Sequence, residues 1–264
     1  RISDKVDISA SLQGIYDEGN YMRSSSQNAS FDFLATQPNT FRMSVLRAGD
    51  FNLYIQSSTM NEIMEVYNDP REETLFRESS NFPGEYRGFL NGPDASNTSI
   101  TVADYSLTGT IFRESSDRLD ANFMTSWETA FLLAEAAEKG IIIADAKALY
   151  NQGVEDAFSY WKTALPADYL MTGVAAYDDT SISNLEKIIT QKWIANSING
   201  YEGWIEYRRT DFPIFKTVGG SLNNDLIPVR MPYPSEEEAL NNANYSEATS
   251  SNQNSVNSPV WWDQ

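Results

Sequence analysis

Glu202 and Glu206 stand one helical turn apart in NGYEGWIEYRRTDFP, the stretch from Asn199 to Pro213 that also holds an Arg pair and four aromatic residues. Two carboxylates could act as acid and base on a glycosidic bond. For that they must flank a sugar ring, roughly 5 to 9.5 Å apart, with one kept protonated by its surroundings. Two acids on one helix face beside Arg209 would both stay ionised, so a structural role is preferred to a catalytic one. On a helix, Tyr201, Trp204, Ile205 and Arg208 share one arc with Arg208 near its middle. That arc is expected to be buried, with Arg208 lying against Trp204 and reaching a carboxylate or several carbonyls of another segment. Glu202, Glu206 and Arg209 fall on the adjoining face, where they read as surface ion pairs of small worth.

The other clusters also have economical structural readings. Glu236, Glu237 and Glu238 could attract calcium or magnesium, but acids favour the first turn of a helix, and Asp178-Asp179 reads as a loop leading into one. Asn28-Ala29-Ser30, Asn97-Thr98-Ser99 and Asn244-Tyr245-Ser246 match the glycosylation acceptor pattern, a weak signal by chance frequency. Neither a catalytic residue, a metal ligand nor a cofactor is assigned. The binding candidates are Phe82, Tyr86, Arg87 and Phe89, in the Gly-, Pro-, Asn- and Ser-rich segment from Ser79 to Thr101, expected to be a long exposed loop. These rings either stack on the apolar faces of sugars, with Asn81, Arg87 and Asn91 bonding hydroxyls, or pin the loop to the core.

Composition narrows the chemistry further. The 264 residues include no His and no Cys, which removes the commonest general base near neutral pH, Ser-His and Cys-His arrangements, thiolate metal sites and disulfides. A formal net charge of -18 repels phosphate backbones, so nucleic acid is not an expected partner. No apolar run approaches the length of a membrane span and the N-terminal RISDKVDISA is not a signal peptide, so any export signal or anchor is expected outside this chain.

Helix signals position these groups. The first forty residues read as helix, polar loop and extended segment. From Phe41 to Tyr67 the spacing of Leu53, Met60, Ile63, Met64 and Tyr67 suits a helix, interrupted at Gly49-Asp50 and stopped by Asp69-Pro70-Arg71. Thr125 to Glu128 fits a capping box, and Trp127, Ala130, Phe131, Ala134 and Ala137 recur helically up to Gly140. Asp145 is placed to start a partner helix with a stripe from Leu149 to Trp161, stopped by Pro166. The two read as a hairpin with small residues at the crossing, tetratricopeptide-like though present as one copy. Ser183 or Asn184 caps a further helix, expected to end at Asn199-Gly200. After Pro213 the chain reads as irregular, with Trp261 and Trp262 docking a polar tail back.

In order, Asp69-Pro70-Arg71, TSWETAFLLAEAAEKG, LYNQGVEDAFSYW, KWIANSINGYEGWIEYRRTDFP, RMPYPSEEEALNNANY and VWWD resemble the SusD-like (SusD/RagB) proteins of Bacteroidetes, RRTDFP and RMPYP being the most specific pieces. The resemblance covers nearly the whole chain, with Trp204, Arg208, Arg209 and Pro213 in the family motif. It implies a mainly α fold of tetratricopeptide-type helical hairpins with long irregular loops. It also implies a non-catalytic, surface-exposed lipoprotein of the cell outer membrane that captures glycans, or sometimes peptides, for a SusC-like TonB-dependent transporter. Family members are about twice this length. Residues 1–264 are therefore expected to form one SusD-like domain, the C-terminal part of a longer chain whose N-terminal part and lipid anchor lie elsewhere. The family's glycan contacts sit in variable loops, so no binding residue is carried over by motif.

Overall fold

Side-chain oxygens start the helices at the centre of the chain. Thr125 Oγ1 accepts from the Glu128 N–H at 3.3 Å, Asp145 Oδ1 from the Ala148 N–H at 2.9 Å and Ser183 Oγ from the Glu186 N–H at 3.1 Å, each satisfying a donor that a helix start leaves open. The computed structural model describes residues 6–93, 99–215, 221 and 223–263. In order they form α1 (Ser9–Glu18), β1 (Ala29–Phe31), α2 (Ala48–Phe51), α3 (Ser58–Tyr67), α4 (Arg71–Leu75), β2 (Phe76–Arg77), β3 (Leu107–Thr108) and β4 (Ala121–Met124). Then follow α5 (Ser126–Glu138), α6 (Ala146–Tyr160), α7 (Asn184–Ala195), α8 (Gly200–Thr210), α9 (Ser235–Leu240) and α10 (Asn242–Thr249). Among the described residues the named strands form two antiparallel pairs, β1 with β4 and β2 with β3. Among the described residues no helix is long and apolar enough to cross a membrane.

The α5–α6 hairpin carries the main core. Gly153 of α6 lies against the Phe131 ring so closely that a Cβ there would be 2.8 Å from it, so the crossing needs a glycine. Trp127, Phe131, Tyr150, Val154, Phe158 and Ile188 close this core between α5, α6 and α7. A second apolar cluster, with Phe51, Met60, Met64, Leu75, Phe112 and Ile194, joins the first half of the chain to Trp161, whose indole N–H donates to the Ala195 carbonyl at 3.0 Å.

Several expected boundaries move. Gly49 and Asp50 lie inside α2 instead of breaking a helix, and Leu53 is exposed beyond it. Asn68 in the left-handed region ends α3, and Pro70 then leads into α4, because proline suits a helix start as well as it blocks an interior. Helix α6 stops at Tyr160, before Pro166, where Lys162 turns left-handed. Helix α7 ends at Ala195, and Asn199 does not terminate it. Its side chain instead accepts from the Glu202 N–H and opens α8. Helix α9 starts where the acids Glu236 to Glu238 suggest a first turn, and α10 forms where irregular chain is expected.

Candidate functional site

Helix α8 turns its charged side inward. Tyr201 is 67% exposed and Ile205 is exposed, whereas Glu206 is 3% exposed and Gly203 is buried, the reverse of the arc that hydrophobic spacing predicts. The reason lies on the neighbouring helices. Lys192 of α7 reaches Glu206 at 3.0 Å and Glu128 of α5 at 3.6 Å. Arg209 grips Glu135 of α5 with two bonds of 2.5 and 2.7 Å and Glu206 with two of 2.8 and 3.3 Å, while Lys139 meets Glu135 at 2.6 Å. Burial alone would raise the Glu135 pKa, but the hydrogen bonds and charge of Arg209, helped by Lys139, hold it down at about 2. Glu206 is lowered in the same way, Arg209 and Lys192 outweighing burial. Locked as a carboxylate among helices, Glu206 is not poised to share a sugar with Glu202, which faces a cleft that Glu206 does not line.

Arg208 sits half-buried on the other side of α8. Its guanidinium lies 4.3 Å from the Trp204 ring, as expected, and 4.6 Å from the ring of Trp262, which brings the tail back as a cation–π sandwich. Trp261 remains 68% exposed. Pro213, buried after a cis bond from Phe212, completes the turn out of α8.

Two clefts flank the turn from α7 to α8. One, of about 310 Å³, is walled by Trp193, Trp204, Phe215 and Met60 and bordered by the amides of Asn91, Asn196 and Asn199 and the hydroxyls of Ser57 and Thr59. Gly203 forms part of its floor, where a Cβ would come within 2.8 Å of Trp193 Nε1. The other, of about 300 Å³, is lined by Phe33, Phe41, Asn122, Trp127, Tyr160 and Glu202 among others, and shares Asn196 and Asn199 with the first. Broad apolar rings beside fixed amides, with few charges in the first cleft, can hold a ligand with apolar faces and a hydroxyl or amide edge.

The loop candidates do not form one platform. Arg87 lies over the exposed Phe82 ring at 4.0 Å, held also by Glu85 at 3.0 Å. Phe89 packs edge-on against Tyr105 at 5.1 Å, and its backbone bonds Gln56 and Ser58. Tyr86 lines a third, acidic hollow with Glu65, Glu72, Glu73 and Glu85. The segment between Asn91 and Thr101 is described only in part, and Asn97 and Thr98 of one glycosylation pattern lie outside the described residues. Asn28 accepts from the Ser126 N–H at 2.7 Å and Asn244 lies in α10. Glu236, Glu237 and Glu238 occupy the first turn of α9, and Asp179 accepts from the Ser181 N–H at 2.9 Å ahead of α7.

Trp193, Asn196 and Phe215 were not among the binding residues that sequence spacing suggested. The usable signal is a tryptophan on each side of the short amide-bearing turn Asn196–Asn199, between two helices.

A helical-hairpin scaffold with short strands, long loops and clefts at a helix junction places this chain among mainly α, tetratricopeptide-type proteins. The chain belongs to the SusD-like family: the family model described as SusD-like_2, starch-binding associating with outer membrane, matches residues 1–234. Among solved structures, a chitin-binding SusD homologue from Flavobacterium johnsoniae is 25% identical, with a TM-score of 0.73 over 92% of this chain and 55% of its own. A SusD homologue from Bacteroides uniformis is 27% identical, with a TM-score of 0.76 over 97% of this chain and 61% of its own. One from Bacteroides fragilis, 21% identical, shares the fold with a TM-score of 0.80 over 98% of this chain and 62% of its own. The chain thus spans between 55% and 62% of the length of these relatives. No curated protein matches it.

Proposed function

We propose that this chain is the glycan-holding part of a non-catalytic surface protein of the outer membrane, which captures oligosaccharides or polysaccharides for a SusC-like TonB-dependent transporter. The observation that carries the reading is the cleft between α7 and α8, where Trp193, Trp204 and Phe215 meet the amides of Asn91, Asn196 and Asn199. Tryptophan faces stack on pyranose rings while amides bond hydroxyls, and among the described residues lining that cleft there is no acid to cleave a bond. Membership of the SusD-like family and the likeness to a chitin-binding homologue favour a glycan over other oligomers.

Titration calorimetry against a panel of neutral oligosaccharides tests the reading. Trp193→Ala and Trp204→Ala should each weaken the best ligand by about 1–2 kcal/mol, roughly 5- to 30-fold, with helical circular dichroism retained. The Phe82 and Arg87 pair is proposed as a peripheral contact, so Phe82→Ala should cost about 3-fold and only with long chains. A panel in which nothing binds, or in which a ligand is turned over, sinks the proposal. Delivery is tested by co-purifying the full-length protein with a SusC-like transporter; failure to form a complex removes that part alone.

A further inference from the structure

The second cleft, between β4, the end of α6 and the α7–α8 turn, contains a donor and an acceptor that no described residue uses. Asn196 Nδ2 and Asn122 Oδ1 are both buried atoms with no hydrogen-bond partner among the described residues, and both residues line this cleft. The orientation of Asn196 is set by a neighbour. The Trp127 indole N–H can only donate, and it donates to Asn196 Oδ1 at 3.4 Å, which leaves the amide nitrogen as the group without a partner. The Tyr160 hydroxyl donates to the Asp120 carbonyl at 3.4 Å, so its proton is taken and the Asn122 oxygen beside it in the cleft stays open. An unpaired buried donor and acceptor are costly, and a native fold keeps them when something else pairs with them.

We propose that this cleft is an acetamido-recognition subsite, in which Asn196 Nδ2 donates to the carbonyl and Asn122 Oδ1 accepts from the N–H of an N-acetylated amino sugar. A secondary amide carries one acceptor and one donor, the complement of the two open atoms. The rings of Phe33, Phe41 and Tyr160 supply an apolar wall for the acetyl methyl and the pyranose face. Asp120, Glu128 and Glu202 at the same cleft make it unwelcoming to uronic or sialic acids, in keeping with the net charge of -18. Because the two clefts share Asn196 and Asn199, one chain can lay a ring in the first and its acetamido group in the second. This inference rests on the glycan-capture reading above and gives it a substrate class.

The test compares three tetrasaccharides of the same linkage by calorimetry on the 264-residue chain: tetra-N-acetylchitotetraose, its fully de-N-acetylated form and cellotetraose. The acetylated ligand should bind about 10-fold more tightly than cellotetraose, the advantage of filling two otherwise open groups. Asn122→Leu should bring that ratio down to roughly 1. Equal binding of the acetylated ligand and cellotetraose, the result expected if water fills the two groups equally well, overturns the subsite and leaves glycan capture standing. Tightest binding of the de-N-acetylated form does the same, because the carboxylates would then be reading an ammonium group. A ratio unchanged in Asn122→Leu also overturns it. No binding by any of the three, with no binder in the wider panel, overturns both readings. The comparison on the unsubstituted chain stands even if Asn122→Leu does not fold.

Discussion

Replacing Arg209 with Met should lower the unfolding free energy at pH 7 by roughly 3–5 kcal/mol, the cost of removing one partner from a buried ion network. Arg209 is the only cation that bonds both Glu135 and Glu206 among the described residues, and the two acids are almost fully buried. Without it each acid keeps a single cation, Lys139 for Glu135 and Lys192 for Glu206, against the cost of its burial. The pH dependence separates this cause from simple loss of packing. In the native chain Glu135 has its pKa depressed to about 2, against an ordinary carboxylate value near 4.5 in the unfolded chain. A depressed carboxyl contributes stability above its unfolded pKa and loses it as pH falls toward its folded pKa, so the native chain should lose roughly 3 kcal/mol between about pH 5 and pH 2 from this group. Glu206 is shifted in the same direction and adds to the loss. In Arg209→Met, burial dominates and both acids bind protons more readily when folded, so the deficit relative to the native chain should shrink as pH falls from 7 to 4. Urea titrations at three pH values measure this. A deficit below about 1 kcal/mol, or one that is constant with pH, would show that the network is not what holds α8 in place.

The same network explains what the sequence could and could not disclose. Helices α5, α6 and α7 were legible because a local oxygen caps each one and the apolar residues recur on the buried face. Helix α8 was legible as a helix, but its orientation was not. Spacing arguments assign Glu206 and Arg209 to water unless their partners are known, and those partners, Lys192 and Glu135, stand on two other helices, Glu135 74 residues from Arg209. The Trp204 and Arg208 stack was readable because it lies within one turn of helix, whereas the second layer on Arg208, Trp262, comes from the far end of the chain.

The clefts failed to appear in the sequence for a related reason. Asn196 and Asn199 look like helix punctuation, and Asn199 does act as a cap. Their second property, exposure of amide groups between Trp193 and Trp204, depends on how sharply α8 turns against α7. That close approach is permitted by Gly203 beneath Trp193, a contact no periodicity reports. Family membership could be read from motifs that build the junction, while the proposed ligand contacts depend on segments brought to it from residues 33 to 215.

Arg71→Met should be as damaging as Arg209→Met, and a second substitution should repair much of the harm. The Asp69 and Arg71 side chains are fully buried and joined by bonds of 2.9 and 2.5 Å. Arg71 also donates to Gln191 of α7 at 2.6 Å and lies 4.3 Å from the Phe158 ring of α6, while the Tyr169 hydroxyl donates to Asp69 at 2.7 Å. The turn between α3 and α4 is thereby bolted to α6 and α7. Burial pushes the Asp69 carboxyl up, but the charge and hydrogen bonds of Arg71 overcome it and keep it below the ordinary range. Take Arg71 away and Asp69 becomes a carboxylate in an apolar interior with Tyr169 as its remaining bonded side chain, a state that should cost roughly 3–5 kcal/mol. The balance already contains a flaw, since Arg71 Nη1 has no hydrogen-bond partner among the described residues. An uncharged pair of similar shape should therefore lose less than the broken pair: Asp69→Asn combined with Arg71→Met is expected to recover about 2 kcal/mol of the single variant's loss. Denaturant midpoints of the native chain, the single variant and the double variant decide the matter. A double variant no more stable than Arg71→Met would mean that Arg71 acts through its packing on Phe158 and not by neutralising Asp69.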